Sequence, residues 1–245
     1  MQRATASVAL TRIPLIRRCP IASWIIHLRI ADSLLDRIPG LSPVEFIMGN
    51  MAPDSGVPNE NWTQFFPSTK VSHFRTDDGT GKKEIDLDAY LSAYFAPALR
   101  ETYDPKQFSF YLGYYVHLLT DCLWTQFILA PSRDKFADER ASDKAGWIRR
   151  MKADWYDLDF LYLKKHPGFR AFRVYLGAVG FQNTYMDFFS ADAFDNRREY
   201  ITGFYLQEND HLDREYHYLT EAEADQFVEE SVTRILATLG EGAMI

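Results

Sequence analysis

The segment Gly113-Tyr114-Tyr115-Val116-His117-Leu118-Leu119-Thr120-Asp121 places an imidazole and a carboxylate four residues apart inside an apolar, aromatic-rich stretch. At i and i+4 on a helix the two side chains project from one face, about one turn apart. Such a pair is a two-ligand arm for a metal such as zinc. Burying His117 and Asp121 among these neighbours is costly unless something replaces the hydration they lose. A metal ion does so. A plain His–Asp hydrogen bond inside the core does so too, and this segment alone leaves both readings open.

The rest of the chain supplies partners. Its histidines are His27, His73, His117, His166, His211 and His217. His27 lies in Ser23-Trp24-Ile25-Ile26-His27-Leu28-Arg29-Ile30-Ala31-Asp32, which reads as the first strong helix. Asp54 lies in the turn-rich break Met48-Gly49-Asn50-Met51-Ala52-Pro53-Asp54-Ser55-Gly56, and His73 lies in Val71-Ser72-His73-Phe74. His27, His73 and His117 thus sit in apolar or aromatic settings, and Asp54 and Asp121 in similarly unusual ones. Metal sites draw imidazole and carboxylate together from distant points of a chain. His166 precedes Pro167-Gly168 and reads as a helix-end residue, whereas His211 and His217 fall in a polar, acidic stretch and read as surface.

His27, Gly49-Asn50-Met51-Ala52-Pro53-Asp54, Ser72-His73-Phe74 and the His117–Asp121 pair occur in the order found in the zinc-dependent phospholipase C family. Over residues 20–125 the chain resembles that family, whose all-helical fold is shared with zinc single-strand nucleases. The resemblance implies an all-α, single-domain, multi-helix fold. It implies that Asp54, His73 and His117 hold one zinc, that Asp121 bridges to a second, and that His27 binds that second ion. It also gives Asp54 the part of general base. Two departures stand out. Relatives use an N-terminal Trp as a further ligand, whereas Trp24 is internal and three residues before His27. Relatives also hold a third zinc with later histidines, and none occurs here between His117 and His166. That third site is lost or rebuilt from carboxylates.

Asp154-Trp155-Tyr156-Asp157-Leu158-Asp159 is the obvious source of such carboxylates. Asp154 and Asp157 share a helix face, and the expectation is that one of them, rather than Asp159, faces the cleft as an oxygen ligand or as a partner that orients a ligand. The same face reads equally as solvated surface. Aromatic residues beside the proposed ligands, Trp62, Phe66, Phe74 and Tyr114 among them, are candidates to line an apolar substrate cleft.

With 47% hydrophobic residues in 245, one sizeable core is feasible, and the expected organisation is a basic, disordered extension over residues 1–19 followed by one helical domain over 20–245. The extension has no convincing signal-peptide core, and no apolar run reaches membrane-spanning length, so a cytoplasmic protein is expected. Two cysteines, Cys19 and Cys122, argue against a disulfide framework. A net charge of −7 speaks against nucleic acid as a partner, since phosphate-backbone binding needs clustered Lys and Arg.

Helices are expected over 21–38, from Pro43, over 86–103 with a kink or break at Pro97, and over 108–129, 143–165, 171–181, 195–206 and 221–239. Residues 53–81 form a long irregular stretch that carries Asp54 and His73. The function implied is hydrolysis of a phospholipid or related phosphodiester by zinc-activated water, with two zinc ions as cofactors and only transient contact with a membrane surface. Two alternatives stand beside it: a zinc nuclease or phosphatase on the same scaffold, and a non-catalytic helical protein with a vestigial metal site.

Overall fold

The computed structural model of the protein describes residues 22–59, 64–77 and 83–242. The proposed extension over 1–19, and with it Cys19, lies outside the described residues, as does Trp62. In chain order the helices are α1 (Trp24–Leu35), α2 (Pro43–Met51), α3 (Thr69–Ser72), α4 (Leu87–Tyr94), α5 (Pro97–Arg100), α6 (Pro105–Trp124), α7 (Ala130–Lys135), α8 (Ala137–Ser142), α9 (Lys144–Lys165), α10 (Arg170–Gly177), α11 (Ala193–Tyr205) and α12 (Glu221–Glu241). A 3₁₀ turn over Ala52–Asp54 extends α2, and a π turn over Thr125–Leu129 joins α6 to α7. The strands are short: β1 (Val57–Pro58) pairs antiparallel with β2 (Phe65–Phe66), and β3 (Arg75–Asp77) with β4 (Lys83–Ile85). The fold is all-α, as the sequence implies.

Helix α6 is the axis of the molecule. Asp104 caps it, accepting from the backbone N–H groups of Lys106 and Gln107 at 2.8 Å, while the Gln107 side chain accepts from the Asp104 N–H. Pro105 supplies a first position that needs no N–H donor. From Ser109 to Trp124 every residue is buried, so the helix is covered on all sides. Each large apolar side chain sequestered there contributes about 1.5–3 kcal/mol.

The closest packing is between α2 and α6, and two glycines allow it. A Cβ on Gly49 would lie 2.0 Å from the Phe110 carbonyl oxygen, and one on Gly113 would lie 2.1 Å from the Phe46 carbonyl oxygen. The two backbones therefore touch where they cross. That crossing brings Asn50, at the end of α2, against the middle of α6, where Asn50 Nδ2 donates to the Gly113 carbonyl at 3.4 Å. Helix α4 is tied to the same region by Tyr90, whose hydroxyl donates to the Tyr111 carbonyl at 2.7 Å.

Local chemistry sets the element boundaries. Ser42 precedes α2 but its hydroxyl makes no cap; instead its N–H donates to Ser109 Oγ at 2.9 Å. The stretch expected over 86–103 with a kink or break at Pro97 is broken there, because Pro97 has no N–H and Ala96 before it takes an extended ψ of 138°. Helix α6 runs on as a π turn before Pro131, which has no N–H to complete the regular ladder. The irregular stretch after Pro53 contains β1, β2, α3 and β3, elements too short to leave a periodic signal.

Candidate metal centre

Five side chains from four separate segments meet beside the middle of α6. Helix α1 brings His27, the 3₁₀ turn brings Asp54, the end of α3 brings His73, and α6 brings His117 and Asp121. Ligand atoms of His27, His117 and Asp121 all lie within 4.8 Å of one another, and so do those of Asp54, His73 and His117. Asp121 sits between the two sets. Its Oδ1 is 3.4 Å from His27 Nε2, and its Oδ2 is 3.7 Å from His73 Nε2 and 3.8 Å from His117 Nε2. Asp54 Oδ1 is 3.3 Å from His73 Nε2. The His27 and His117 rings stack with centroids 3.8 Å apart and planes 2° from parallel.

Four of the five side chains are held from behind. His117 Nδ1 lies 2.7 Å from the Asn50 carbonyl oxygen, so that nitrogen carries the proton and Nε2 points its lone pair into the cluster. His73 Nδ1 meets Ser72 Oγ at 2.9 Å, which leaves its Nε2 on the cluster side. Ser72 in turn accepts, through its carbonyl, the hydroxyl of Tyr114. Asp121 Oδ1 accepts the N–H of Ala22 at 3.0 Å, and Asp54 Oδ2 accepts Trp24 Nε1–H at 2.9 Å. The stretch before His27 therefore grips both carboxylates of the cluster.

Protonation states favour cation binding. Burial by itself would raise the pKa of Asp54, but contact with His73 and the charges of the three imidazoles hold it well below the usual carboxylate range. The Asp121 carboxyl faces the same opposition from burial and is still lowered to about 2 by its contact with His27 and by the neighbouring imidazoles. His117 is pushed down to about 3, first by burial and then by repulsion from His27. Two ionised carboxylates and a neutral imidazole are the forms that ligate a metal.

A cation fits this donor set. Both ring nitrogens of His27, together with Nε2 of His73 and of His117, are buried and make no hydrogen bond among the described residues. A buried polar atom left unpaired costs about 1–3 kcal/mol. Native proteins rarely tolerate several in one place. Imidazole nitrogens and ionised carboxylate oxygens gathered within a few ångströms of one another are the donor types that zinc takes.

A cavity of about 330 Å³ opens onto the cluster, with Asp54 and His73 in its wall. Trp24, Phe65, Tyr156 and Tyr200 give it aromatic sides, and Lys152 and Arg197 give it two positive ones. The sequence expectation for the lining needs correction. Phe66 points outward and is 72% exposed, while its neighbour Phe65 faces the cavity, as alternation along β2 requires. Phe74 takes a positive φ of 50° just after His73, and its ring packs edge-on against Tyr90, Tyr94 and Tyr114. Tyr114 is fully buried. Phe74 and Tyr114 fix the His73 turn; they do not line the cavity.

Asp154 and Asp157 also need correction. Asp154 accepts from Arg214 Nη1 at 2.6 Å and from the Tyr218 N–H at 2.7 Å. Asp157 accepts from Arg214 Nη2 at 2.6 Å and from Asn209 at 3.1 Å. Both clamp the segment before α12 and neither lines the cavity. On α9, Lys152, Tyr156 and Asp159 fall on one helical face, and Asp154 and Asp157 on the opposite one. Asp159 instead joins the start of α1 to α11. It is buried, and accepts from Ser23 Oγ at 2.7 Å and from the Tyr205 hydroxyl. Burial raises its pKa to about 7 against the lowering effect of those two bonds.

Sequence reasoning missed Trp24, Lys152, Tyr156, Arg197 and Tyr200. Trp24 had a signal in its i, i+3 spacing to His27, whereas the α11 residues had none. His211 and His217 are exposed, as expected, and His166 ends α9. Cys122 is buried. Among the described residues no helix is long and apolar enough to cross a membrane.

Residues 26–124 match the family model of zinc dependent phospholipase C. That span contains all five clustered side chains. No curated protein and no solved structure matches the chain. The family match and the two metal-capable groups together support a metal-dependent, phospholipase-like function.

Proposed function

We propose that this protein hydrolyses the phosphodiester bond of a phospholipid, using zinc held by His27, Asp54, His73, His117 and Asp121. The observation that carries the reading is the set of buried imidazole nitrogens without hydrogen bonds, gathered around two carboxylates. Asp121 belongs to one group and turns its second oxygen toward His73 of the other, which suits a carboxylate shared between two ions. Zinc held there supplies a Lewis acid that polarises phosphoryl oxygens and makes water more acidic.

The chain's own residues define the rest. Asp54 is the carboxylate of the cluster that reaches the cavity, with a side chain 8% exposed. Its low proton affinity makes it a poor store for a proton but a good acceptor for orienting an attacking water. Trp24 Nε1–H fixes one of its oxygens, so the other is aimed reproducibly. The aromatic walls shed water from the substrate and accept apolar parts of it.

The test is to load the purified protein with zinc and assay release of phosphorylated head group from phospholipid vesicles, with single-stranded DNA in a parallel assay. Chelator-sensitive head-group release supports the proposal. DNA cleavage without lipid hydrolysis moves the protein to the nuclease reading, and no hydrolysis of either moves it to the non-catalytic one.

A further inference from the structure

The cavity beside the cluster carries two positive side chains that no carboxylate among the described residues neutralises. Lys152 projects from α9 and is exposed, with neither an ion pair nor a hydrogen bond among the described residues. Arg197 on α11 is 7% exposed; it donates through Nη2 to the Gly56 carbonyl and lies 5.3 Å over the Tyr200 ring. Asp54 is the one carboxylate among the described lining residues, and its oxygens face His73 and Trp24. A nearly buried guanidinium with a carbonyl and a ring for partners is poorly compensated until an anion reaches it.

The aromatic faces of Trp24, Tyr156 and Tyr200 would on their own suit a quaternary ammonium group. The two cations beside them reverse that preference, because like charges in a partly enclosed cavity repel more strongly than in open water. The cleaved phosphodiester has its own partner in the cluster, so Lys152 and Arg197 are available to a different part of the substrate.

We infer that this cavity selects a substrate whose head group carries a second anionic group, phosphate or carboxylate, bound between Lys152 and Arg197. The inference rests on the phosphodiesterase reading for its substrate but not for its test. Lys152 supplies a mobile point charge, and Arg197 a fixed planar donor.

Three soluble phosphomonoesters separate the alternatives: phosphocholine, glycerol 1-phosphate and 3-phosphoglycerate. They share one phosphate and differ in whether the remainder is cationic, neutral or anionic. Calorimetric titration into the full-length, zinc-loaded protein should give 3-phosphoglycerate an affinity at least about tenfold above phosphocholine, with glycerol 1-phosphate between them, the size expected of one charge-assisted hydrogen bond. Lys152→Gln, at an exposed position that does not threaten folding, should shrink that gap to about threefold or less while weakening glycerol 1-phosphate little. Phosphocholine binding as tightly as 3-phosphoglycerate, an unaltered ranking in Lys152→Gln, or no binding of any of the three overturns the inference. The expected ranking in a protein that hydrolyses no phospholipid overturns the hydrolase reading alone.

Discussion

His117 Nδ1 lies 2.7 Å from the carbonyl oxygen of Asn50, and through this contact the crossing of α2 and α6 orients an imidazole of the candidate metal cluster. The crossing depends on Gly49 and Gly113, where backbone meets backbone. A ligand orientation is thereby written into the closest helix–helix contact in the fold.

Gly113→Ala should separate those helices. The new Cβ would meet the Phe46 carbonyl oxygen at 2.1 Å and the Asn50 nitrogen at 2.9 Å, neither of which can swing aside. The expected loss is about 3 kcal/mol of stability. Zinc affinity should fall with it, because Asn50 no longer holds His117. Gly177→Ala, where a Cβ meets nothing within 4 Å, is the control and should be neutral or slightly stabilising. Urea denaturation and zinc titration of both variants check this.

Trp24→Phe keeps an aromatic wall but removes the N–H that holds Asp54 Oδ2. Loss of such a supporting bond costs about 10–100-fold in metal affinity or activity. The turnover of zinc-saturated protein should drop within that range while thermal stability changes little. Unaltered turnover would show that Asp54 needs no help from Trp24.

The five clustered residues were legible in the sequence because an imidazole in an apolar run has few explanations and because i, i+4 spacing fixes a helix face without knowledge of the fold. The rotation of α9 was not. Asp154, Asp157 and Asp159 all lie on one polar helix, and what turns the first two away from the cluster is Arg214, far along the chain. No local pattern encodes that pairing. Lys152 and Arg197 meet at the cavity only through the packing of α9 and α11 around α1, and Phe65 and Phe66 were indistinguishable until β2 assigned one of them inward. The break at Pro97 and the capping of α6 by Asp104 are local effects.

Asp159 gives the fold a pH dependence of definite sign. Its pKa is about 7 in the folded protein against 3.8 for an ordinary aspartate. Over that interval the folded state keeps a proton that the unfolded state has released, so the contribution is present below pH 4 and is lost as pH rises to 7. Asp159→Asn should abolish it. Measured on chelated protein, the stability of the parent relative to the variant should decrease by about 2–3 kcal/mol between pH 5 and pH 7.5. An unchanging difference would mean that Asp159 is ionised in the fold.

Arg214→Ala removes the clamp on Asp154 and Asp157. Asp154 is buried and would be left with the Tyr218 N–H alone, while Arg214 is itself one-third exposed, so a loss of about 1–3 kcal/mol is expected. Zinc content should not change. A drop in zinc content would return these two aspartates to the metal site.

The central claim is that the buried cluster is a metal centre organised around Asp121, and the zinc content of purified Asp121→Asn against the parent tests it most directly. The substitution removes charge with little change of shape at the carboxylate that faces His27, His73 and His117. The parent should retain zinc through gel filtration. Asp121→Asn should lose zinc and hydrolysis together with its helix content preserved, while His211→Ala, at an exposed position, matches the parent. Full zinc content and full phosphodiesterase activity in Asp121→Asn would contradict the account and leave His117 and Asp121 as a polar pair within a helical core.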